Sequence, residues 1–536
     1  MSSSKFSRRE FLKLLSLFAL SGLASSRPEG TGAGWASPAF QARPKRVEVT
    51  GPAADGQAGS GKKLPNILLL VFDTFSAQHI SLFGYQRNTT PNIAKFANRA
   101  TVYHQHHSGG NFTVPGTASL LTGTYPWTHR ALHLFGTVQD QFADRNIFSV
   151  FNDDYFISAY THNSLVMDLF NQFQKHIDRL IPPGDLALVS EPLADRVFSR
   201  DYFISFWAER IVRGSGFQLP DSLFLSYTSV GDDFDPQTPD TLMKKYGKLF
   251  PRGVPTHSTG LFFLLEDAIN WIRGQVENDS RPFLGYFHML PPHEPYHTRR
   301  DFIDIFKDGW KQPTKPILWF SQDQTQDFLD EQCRYYDEYI AYVDEEFGRL
   351  IDSLDKDGAL KDTYVILTSD HGQLFERGIH GHVTPTLYDP VIHIPLLISK
   401  PGQTTREDVY SHTSAVDVLP TLCTITGKPV PEWCEGQVLP GFGGAKPDNE
   451  RKIYVVEAKL NPKFGPIKIG TTAIIQGDHK LVRYFGYQAE DSYEMYNLYN
   501  DPNEMVNRFE PQSGSLSAQL KGELVAKLEQ ENQATF

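Results

Sequence analysis

The chain has 536 residues, of which 40% are hydrophobic and 13% aromatic, so it can bury a large core and exceeds one small domain. Its formal net charge is −12 and it has no long basic run, which argues against a general nucleic-acid-binding protein. The three cysteines fit neither a disulfide framework nor a CxxC metal site, so we expect buried thiols, although Cys423 and Cys434 could pair.

The amino terminus has the three-part layout of an export signal. Arg8 and Arg9 precede an apolar run, Leu14 to Leu23, and small residues follow it. The paired arginines resemble a twin-arginine signal, which implies transport by the twin-arginine export machinery to the periplasm or the outer face of the cytoplasmic membrane. An uncleaved anchor and an ordinary hydrophobic terminus are the alternatives. We assign residues 1–30 to the signal and residues 31–63, rich in Gly, Pro, Ala and Ser, to a flexible linker.

Four apolar runs predict buried strands, at residues 65–72, 282–288, 363–369 and 394–399. Helical patterns lie between them, and the clearest covers residues 333–354, where apolar side chains recur at three- and four-residue steps. Strands that alternate with helices predict an α/β fold, a mostly parallel sheet sandwiched by helices. We assign residues 64–430 to this catalytic domain.

The pattern changes after about residue 430. Residues 453–457, 472–476 and 480–484 read as short strands around turns, and residues 516–531 read as a helix. The sequence therefore predicts a smaller C-terminal α+β subdomain over residues 431–536.

Polar residues follow three of the predicted strands. Asp73, His288 and Asp370 stand at or just past strand ends, where ligands bind in parallel sheets. Asp370 is followed by His371, and a carboxylate beside an imidazole suits Zn²⁺ or Mn²⁺, whereas carboxylate-rich sites suit Ca²⁺ or Mg²⁺. A turn at Asp370 and a helix cap at Asp73 are the alternatives.

Thr113 precedes a proline, small residues and an apolar helical stretch. This predicts a helix amino terminus, where backbone N–H groups and the helix dipole favour an anion. A hydroxyl there could attack phosphorus or sulfur if a metal lowers its pKa. The alternative is that Thr113 only caps the helix.

Two further segments carry paired histidines: His288 and His293 flank a proline-rich loop, and His380 and His382 lie shortly after Asp370. A lone histidine of this kind is usually a surface residue. Five polar segments directed to one sheet edge are less expected by chance, so we predict a common site.

The order of these motifs resembles the sulfatase-like branch of the alkaline phosphatase superfamily. The matching segments are PNILLLVFDTF, TVPGTASLLTGTYPWTH, TYVILTSDHG with GIHGH, and MYNLYNDPNEMVNRF, which has one additional Asn. The resemblance extends from Pro65 to about Phe509 and implies an ester hydrolase with one divalent ion, Mn²⁺, Ca²⁺, Zn²⁺ or Mg²⁺, and room for a second.

The resemblance also implies roles for particular residues. The metal ligands are Asp73, Thr113, Asp370 and His371; the catalytic residues are Thr113 as nucleophile, His382 and His293; the substrate-binding residues are His288, His380 and Asn111. We expect the substrate to be a small anionic ester or a glycolipid or phospholipid of the cell envelope, and the net charge leads us to expect no nucleic-acid partner.

The departures from the family pattern bear on the reaction. Sulfatases that use formylglycine have Cys or Ser followed by x-Pro-x-Arg, whereas this chain has Thr113 and, in place of the arginine, Thr117. Thr74 and Ser76 replace a frequent second aspartate and a nearby arginine. These changes favour phosphoester chemistry through a Thr113 covalent intermediate. The alternatives are a phosphoglycerol- or phosphoethanolamine-type transferase and a catalytically weak exported binding protein.

Overall fold

The computed structural model describes residues 64–134, 136–189, 237–256, 261–276, 281–443, 446 and 448–535. The predicted twin-arginine signal and linker lie outside these residues. Lys63–Phe536 forms one compact unit. Among the described residues, no helix combines the length and the apolar character that a membrane span requires.

An eight-stranded sheet forms the centre of the unit. Seven of its strands run in the same direction, and only β12 runs against its two neighbours. The order across the sheet is β13-β2-β12-β9-β1-β8-β4-β5. Its strands in chain order are β1 (Asn66–Phe72), β2 (Thr101–Tyr103), β4 (Phe156–Thr161), β5 (Arg179–Ile181), β8 (Phe283–Met289), β9 (Thr363–Thr368), β12 (Leu396–Ser399) and β13 (Glu407–Val409).

Short strand pairs lie around this sheet. They are β3 (His106–His107) with β14 (Thr413–Ser414), β6 (Ala187–Val189) with β7 (Phe262–Phe263), and β10 (Leu374–Glu376) with β11 (Ile379–Gly381). The helices are α1 (Pro91–Ala97), α2 (Thr113–Thr122), α3 (Pro126–His129), α4 (Ile147–Phe151), α5 (Ser164–Phe173), α6 (Gln237–Tyr246), α7 (Leu265–Val276), α8 (Gln326–Lys356), α9 (Asp389–Ile392), α10 (Val418–Thr426) and α11 (Leu516–Thr535).

The position of strand β1 inside the sheet explains why its apolar run is continuous. Ile67, Leu69 and Val71 pack with α2, α4, α5 and α10 on one face of the sheet. Leu68 and Leu70 pack with α1, α7 and α8 on the other face. Because successive side chains of a strand point to opposite faces, a strand covered on both faces must be apolar throughout. The helix-covered, mostly parallel sheet that the sequence predicts is therefore confirmed.

The C-terminal part contains a separate antiparallel sheet, β15 (Ile453–Glu457), β16 (Gly470–Gln476), β17 (His479–Phe485) and β18 (Ser492–Asn497). One face packs against α11 through Leu520 and Leu524. The opposite face packs against Leu374, Tyr388 and Val391, which surround the Asp370 turn of the larger domain. The predicted smaller C-terminal domain is confirmed, and it supports the main sheet next to the predicted site.

Several elements differ from the sequence prediction. The run at 394–399 forms β12, which is antiparallel, because a short continuous apolar run carries no information on strand direction. Helix α8 begins at Gln326, seven residues before the predicted start of Cys333, because Thr325 caps a polar first turn. Strands β4 and β18 were not predicted. Cys333 and Cys423 are buried, Cys434 is half-buried, and all three are free thiols.

Helix α3 packs against α2 through a buried histidine. The Ala131 backbone N–H donates to His129 Nδ1 at 3.1 Å, so the proton of the neutral ring is on Nε2, which donates to Ser119 Oγ at 3.1 Å. Burial, assisted by the charge of Arg130, lowers the pKa of His129 from 6.5 to about 3. The folded protein therefore requires this imidazole to be neutral.

This requirement predicts that acid destabilises the fold. Between pH 6.5 and about 3 the unfolded chain binds a proton at His129 that the folded chain does not, so stability falls as the pH falls. In His129→Gln, whose amide can replace both hydrogen bonds, we expect the loss of unfolding free energy between pH 7 and pH 5 to be smaller by about 2 kcal/mol. Urea unfolding at both pH values measures it. His479→Gln, at a half-buried position, is the control, and equal losses in the wild type and His129→Gln would contradict the prediction.

Candidate active site

Three adjacent parallel strands bring the first site residues together. Strand β1 lies between β8 and β9, and all three end at the same edge of the sheet. Asp73 follows β1, His288 is near the end of β8, and Asp370 follows β9 by two residues. All three side chains are completely buried, so a polar cluster is formed inside the protein.

The two carboxylates each have one oxygen with protein donors and one without. Asp73 Oδ2 accepts from Asn163 Nδ2 at 2.6 Å, and Asp370 Oδ1 accepts from the backbone N–H groups of His371 at 2.9 Å and Thr74 at 3.3 Å. Asp73 Oδ1 and Asp370 Oδ2 are buried without a hydrogen-bond partner. Asp73 is thus not the cap of a helix, and two orphaned carboxylate oxygens face the cluster.

Two imidazoles lie against these oxygens. His371 Nε2 is 3.4 Å from Asp73 Oδ1 and 3.6 Å from Asp370 Oδ2. His288 Nε2 is 3.4 Å from Asp73 Oδ2 and 3.6 Å from Asp370 Oδ2. His288, which the resemblance assigned to substrate binding, lies beside both carboxylates, and the three side chains are close enough together to hold a metal ion.

The electrostatics of the pair favour a cation. Burial raises the pKa of Asp370 well above its ordinary value, and the negative charge of Asp73 raises it further. Burial would also raise the pKa of Asp73, but the hydrogen bond with His288 and the electrostatic interactions with the imidazoles of His293, His288 and His371 lower it below its ordinary value. Two buried carboxylates this close cannot both ionise without compensating positive charge. In the part of the chain that the structure describes, no Lys or Arg forms an ion pair with either.

The histidine tautomers also suit a cation. His371 Nδ1 is 2.9 Å from the Gly372 carbonyl oxygen and His293 Nδ1 is 2.7 Å from the Glu294 carbonyl oxygen. Because a carbonyl oxygen only accepts, each Nδ1 carries a proton. Burial lowers the pKa of His371 to about 4, so this ring is neutral at pH 7. Neutral imidazoles oriented by a carbonyl are the usual form of histidine ligands to metals.

Thr113 is the first residue of α2, and Phe112 before it occupies the cap position. The Thr113 hydroxyl makes no capping bond, and its oxygen lies 3.4 Å from His371 Nε2. A side chain at Gly116 would collide with the Asp370 carbonyl oxygen, so the glycine lets α2 approach the carboxylate turn. The hydroxyl is therefore held at a helix amino terminus beside the metal-ligand cluster.

The remaining predicted residues line the site at increasing distance. The His382 ring centroid is 4.4 Å from that of His371, and the His293 centroid is 5.0 Å from that of His382. His380 lies further out, with Nε2 at 3.1 Å from Tyr296 Oη. The Asn111 amide donates to the carbonyl oxygens of residues 382, 384 and 386, so it braces the loop that carries His382.

Asn163 is a site residue that the sequence analysis missed. It caps α5 by accepting from the Leu165 N–H at 2.9 Å, and its amide nitrogen binds Asp73. It follows β4 as Asp73 follows β1, so the same strand-end rule would have identified it. Strand β4 was not recognised because its six residues, FISAYT, include Ser158 and Thr161 and so do not form a continuous apolar run.

A second group of potential ligands, His79, Cys333 and Asp337, is already neutralised. Arg87 and Tyr85 donate to Asp337 Oδ2 at 2.8 and 2.7 Å, and His79 Nδ1 is 2.8 Å from Oδ1. Burial raises the pKa of Cys333 well above its ordinary value, so the sulfur stays a thiol. This cluster is an ion pair that ties α8 to the loop after β1.

Two known protein families match this chain, one over the larger domain and one over the C-terminal part. Residues 65–187 and 221–428 match the sulfatase family. The chain belongs to the sulfatase family. It is therefore an ester hydrolase of the alkaline phosphatase superfamily, and sulfatases generally use a divalent metal. Residues 378–532 match the C-terminal domain of N-sulphoglucosamine sulphohydrolase.

Individual relatives of this sulfatase-family chain are distant. The choline-sulfatase of Rhizobium meliloti (strain 1021) is 24% identical over 482 residues, which are 84% of this chain and 83% of that protein. The structure of yidJ from Bacteroides fragilis has a TM-score of 0.60 at 20% identity and covers 89% of this chain and 98% of its own. The phosphonate monoester hydrolase of Agrobacterium radiobacter has a TM-score of 0.55 at 18% identity, covering 88% and 96%. These structures share the fold.

The residues present fit a divalent ion. Two carboxylates with orphaned oxygens, His288 and the free Nε2 of His371 offer a mixed oxygen and nitrogen donor set, which Zn²⁺ and Mn²⁺ accept. Asn163 occupies Asp73 Oδ2 and so leaves Oδ1 available to an ion.

This arrangement predicts an effect of Asn163 on metal affinity. Asn163→Ser keeps a capping hydroxyl for α5 but loses the amide that binds Asp73, so we expect Mn²⁺ affinity to fall by about 10- to 100-fold. Titration calorimetry measures the affinity, and thermal unfolding without metal should change little. Asn171→Ala, on the exposed face of the same helix, is the control. Wild-type affinity in Asn163→Ser would remove Asn163 from the metal site.

Proposed function

We propose that this protein is a metal-dependent hydrolase of phosphoesters that uses Thr113 as its nucleophile. The observation that carries the proposal is the Thr113 hydroxyl, which is buried, unused in capping, and 3.4 Å from His371 Nε2. It lies at the amino terminus of α2, where backbone N–H groups favour an anionic group. A nucleophile, ligands for an ion and an anion-binding helix end thus converge.

Asp73, Asp370, His371 and His288 would bind the ion, and Thr113 lies within reach of it. When bound, a divalent ion supplies charge that favours the alkoxide form of a nearby hydroxyl and polarises an ester oxygen. Mn²⁺, Zn²⁺, Ca²⁺ and Mg²⁺ are the candidates, and the imidazole ligands favour the first two.

The reaction would proceed in two displacements. Thr113 Oγ1 forms a bond to phosphorus while the bond from phosphorus to the leaving oxygen breaks. The Nε2 of His382 or His293 accepts the threonine proton and transfers it to the leaving oxygen, so an alcohol departs. A water molecule then attacks the phosphothreonine and gives a proton to the same nitrogen. The bond from phosphorus to Thr113 Oγ1 breaks, the nitrogen returns the proton to Oγ1, and phosphate leaves. The α2 amino terminus stabilises the equatorial oxygens.

Phosphate is favoured over sulfate because of the residue at position 113. Threonine is neither Cys nor Ser, the two residues from which formylglycine is made, and Thr117 stands where that motif has arginine. A plain alkoxide suits phosphoryl transfer. The similarity to a choline-sulfatase and to a phosphonate monoester hydrolase leaves both ester types as substrates for the assay.

We also propose that the enzyme acts outside the cytoplasm, because residues 1–30 have the layout of a twin-arginine signal. Its substrate would then be a small anionic ester or the head group of an envelope glycolipid or phospholipid. The twin-arginine route carries folded proteins, so an ion bound in the cytoplasm could travel with the enzyme.

A panel of esters tests the reaction type. The metal-loaded full chain is assayed with aryl phosphate, aryl phosphodiester, aryl phosphonate and aryl sulfate, with Mn²⁺, Zn²⁺ or Ca²⁺ added. We expect turnover of a phosphorus ester that a chelator abolishes and added metal restores. Turnover of the aryl sulfate alone would overturn the phosphoester preference. If the metal-bound protein hydrolysed none of the four esters, the result would favour a binding protein of the same fold.

Thr113 variants test the nucleophile. Thr113→Ala removes the attacking oxygen, so we expect kcat to fall by about a thousandfold or more while metal affinity changes far less. Thr113→Ser keeps a hydroxyl and should retain kcat within about tenfold. Acid-quenched wild-type protein should carry a phosphoryl group on Thr113 by peptide mass spectrometry. Undiminished turnover in Thr113→Ala would exclude the residue from the mechanism.

A further inference from the structure

Gln373 connects two parts of the site that the mechanism treats separately. It is completely buried and follows the Asp370-His371-Gly372 turn. Its Oε1 is 2.6 Å from His382 Nδ1. Its Nε2 is 2.9 Å from Tyr296 Oη and 3.4 Å from Glu294 Oε2. One amide thus touches His382 on one side and a half-exposed carboxylate on the other.

The carboxylate determines which way the amide points. An ionised carboxylate only accepts hydrogen bonds, so the amide end that faces Glu294 must be the NH₂ group. The opposite end, which faces His382, is then the carbonyl oxygen. The reversed amide would place its oxygen against the Glu294 carboxylate, which is repulsive. The orientation is therefore set by charge.

The amide in turn determines the tautomer of His382. Gln373 Oε1 can only accept, so His382 Nδ1 must carry the proton of the neutral ring. His382 Nε2 then has a free lone pair on the opposite side of the ring. In His371 the same tautomer is set by a backbone carbonyl, whose orientation is fixed by the main chain, whereas in His382 it depends on a side-chain amide that can rotate.

We propose that Gln373 and Glu294 are positioning residues that hold His382 as the Nδ1–H tautomer, with Nε2 ready to accept the proton transferred in the reaction. The inference rests on the proposed function for its catalytic meaning. The tautomer is a property of the folded chain, so it can be measured without turnover.

The test measures the tautomer directly in metal-free protein. The full chain is labelled with ¹⁵N-histidine, and the His382 resonances are identified as those lost in His382→Gln. In the wild type we expect the proton on Nδ1. In Gln373→Leu, which has no acceptor, and in Glu294→Gln, which has no orienting charge, we expect a shift of population to the Nε2–H tautomer. A wild-type proton on Nε2, or an unchanged tautomer in both variants, would overturn the proposal.

Kinetics supply the second readout. Because general acid–base catalysis contributes about 10²–10⁴-fold, we expect kcat of Gln373→Leu and Glu294→Gln to fall by about 10- to 100-fold with KM within about threefold. Gln312→Leu is the matched control, since Gln312 bonds to the Phe375 carbonyl on the adjoining strand β10 and not to a histidine. Glu294 is half-exposed, so we expect Glu294→Gln to fold. This variant tests the proposal even if Gln373→Leu does not fold.

The two proposals fail in different ways. If none of the four esters is hydrolysed but the His382 tautomer shifts as expected in the variants, hydrolysis is refuted and the positioning role of Gln373 and Glu294 is supported. If esters are hydrolysed but both variants retain the wild-type tautomer and kcat, the hydrolase stands and the positioning network is refuted.

Discussion

The site depends on two buried carboxylates, Asp73 and Asp370, which form no ion pair with a Lys or Arg among the described residues. Asp73 and Asp370 each present an unpaired oxygen inside the protein, and burial makes simultaneous ionisation costly. A fold pays such a penalty only where the pair is compensated, and the free Nε2 of His371 with the nearby His288 completes a donor set for a cation. The family's use of a divalent metal is consistent with this set.

The C-terminal domain also contributes to this arrangement, through the segment that includes helix α9. Helix α9 begins at Asp389, and the carbonyl oxygens of Pro390 and Val391 accept from the backbone N–H groups of Gln373 and Gly372. The buried Lys480 of β17 lies 2.5 Å from both Asp389 and Glu504. Removing one partner of such a buried charge group leaves the others uncompensated. The smaller domain therefore stabilises the segment that holds the turn of Asp370 and His371.

The imidazoles of His371 and His382 are neutral and carry their proton on the same ring nitrogen. Burial lowers the pKa of His382 well below its ordinary value and that of His371 to about 4. Hydrogen bonds to oxygen place the proton of both rings on Nδ1. Two Nε2 lone pairs, those of His371 and His382, therefore belong to one site beside the Thr113 hydroxyl. Such an arrangement suits cation binding and proton acceptance at neutral pH better than it suits anion binding by charge.

The sequence by itself determined four buried strands, β1, β8, β9 and β12, and polar residues that follow three of the predicted runs, because continuous apolar runs and their ends are local patterns. That was enough to bring Asp73, His288 and Asp370 to one edge. It could not show that β12 is antiparallel, that Phe112 and not Thr113 caps α2, or that Asn163 binds a carboxylate 90 residues away. Only the tertiary structure decided these points and the orientation of Gln373, because each depends on a partner that is distant along the chain and reached only after the sheet has formed.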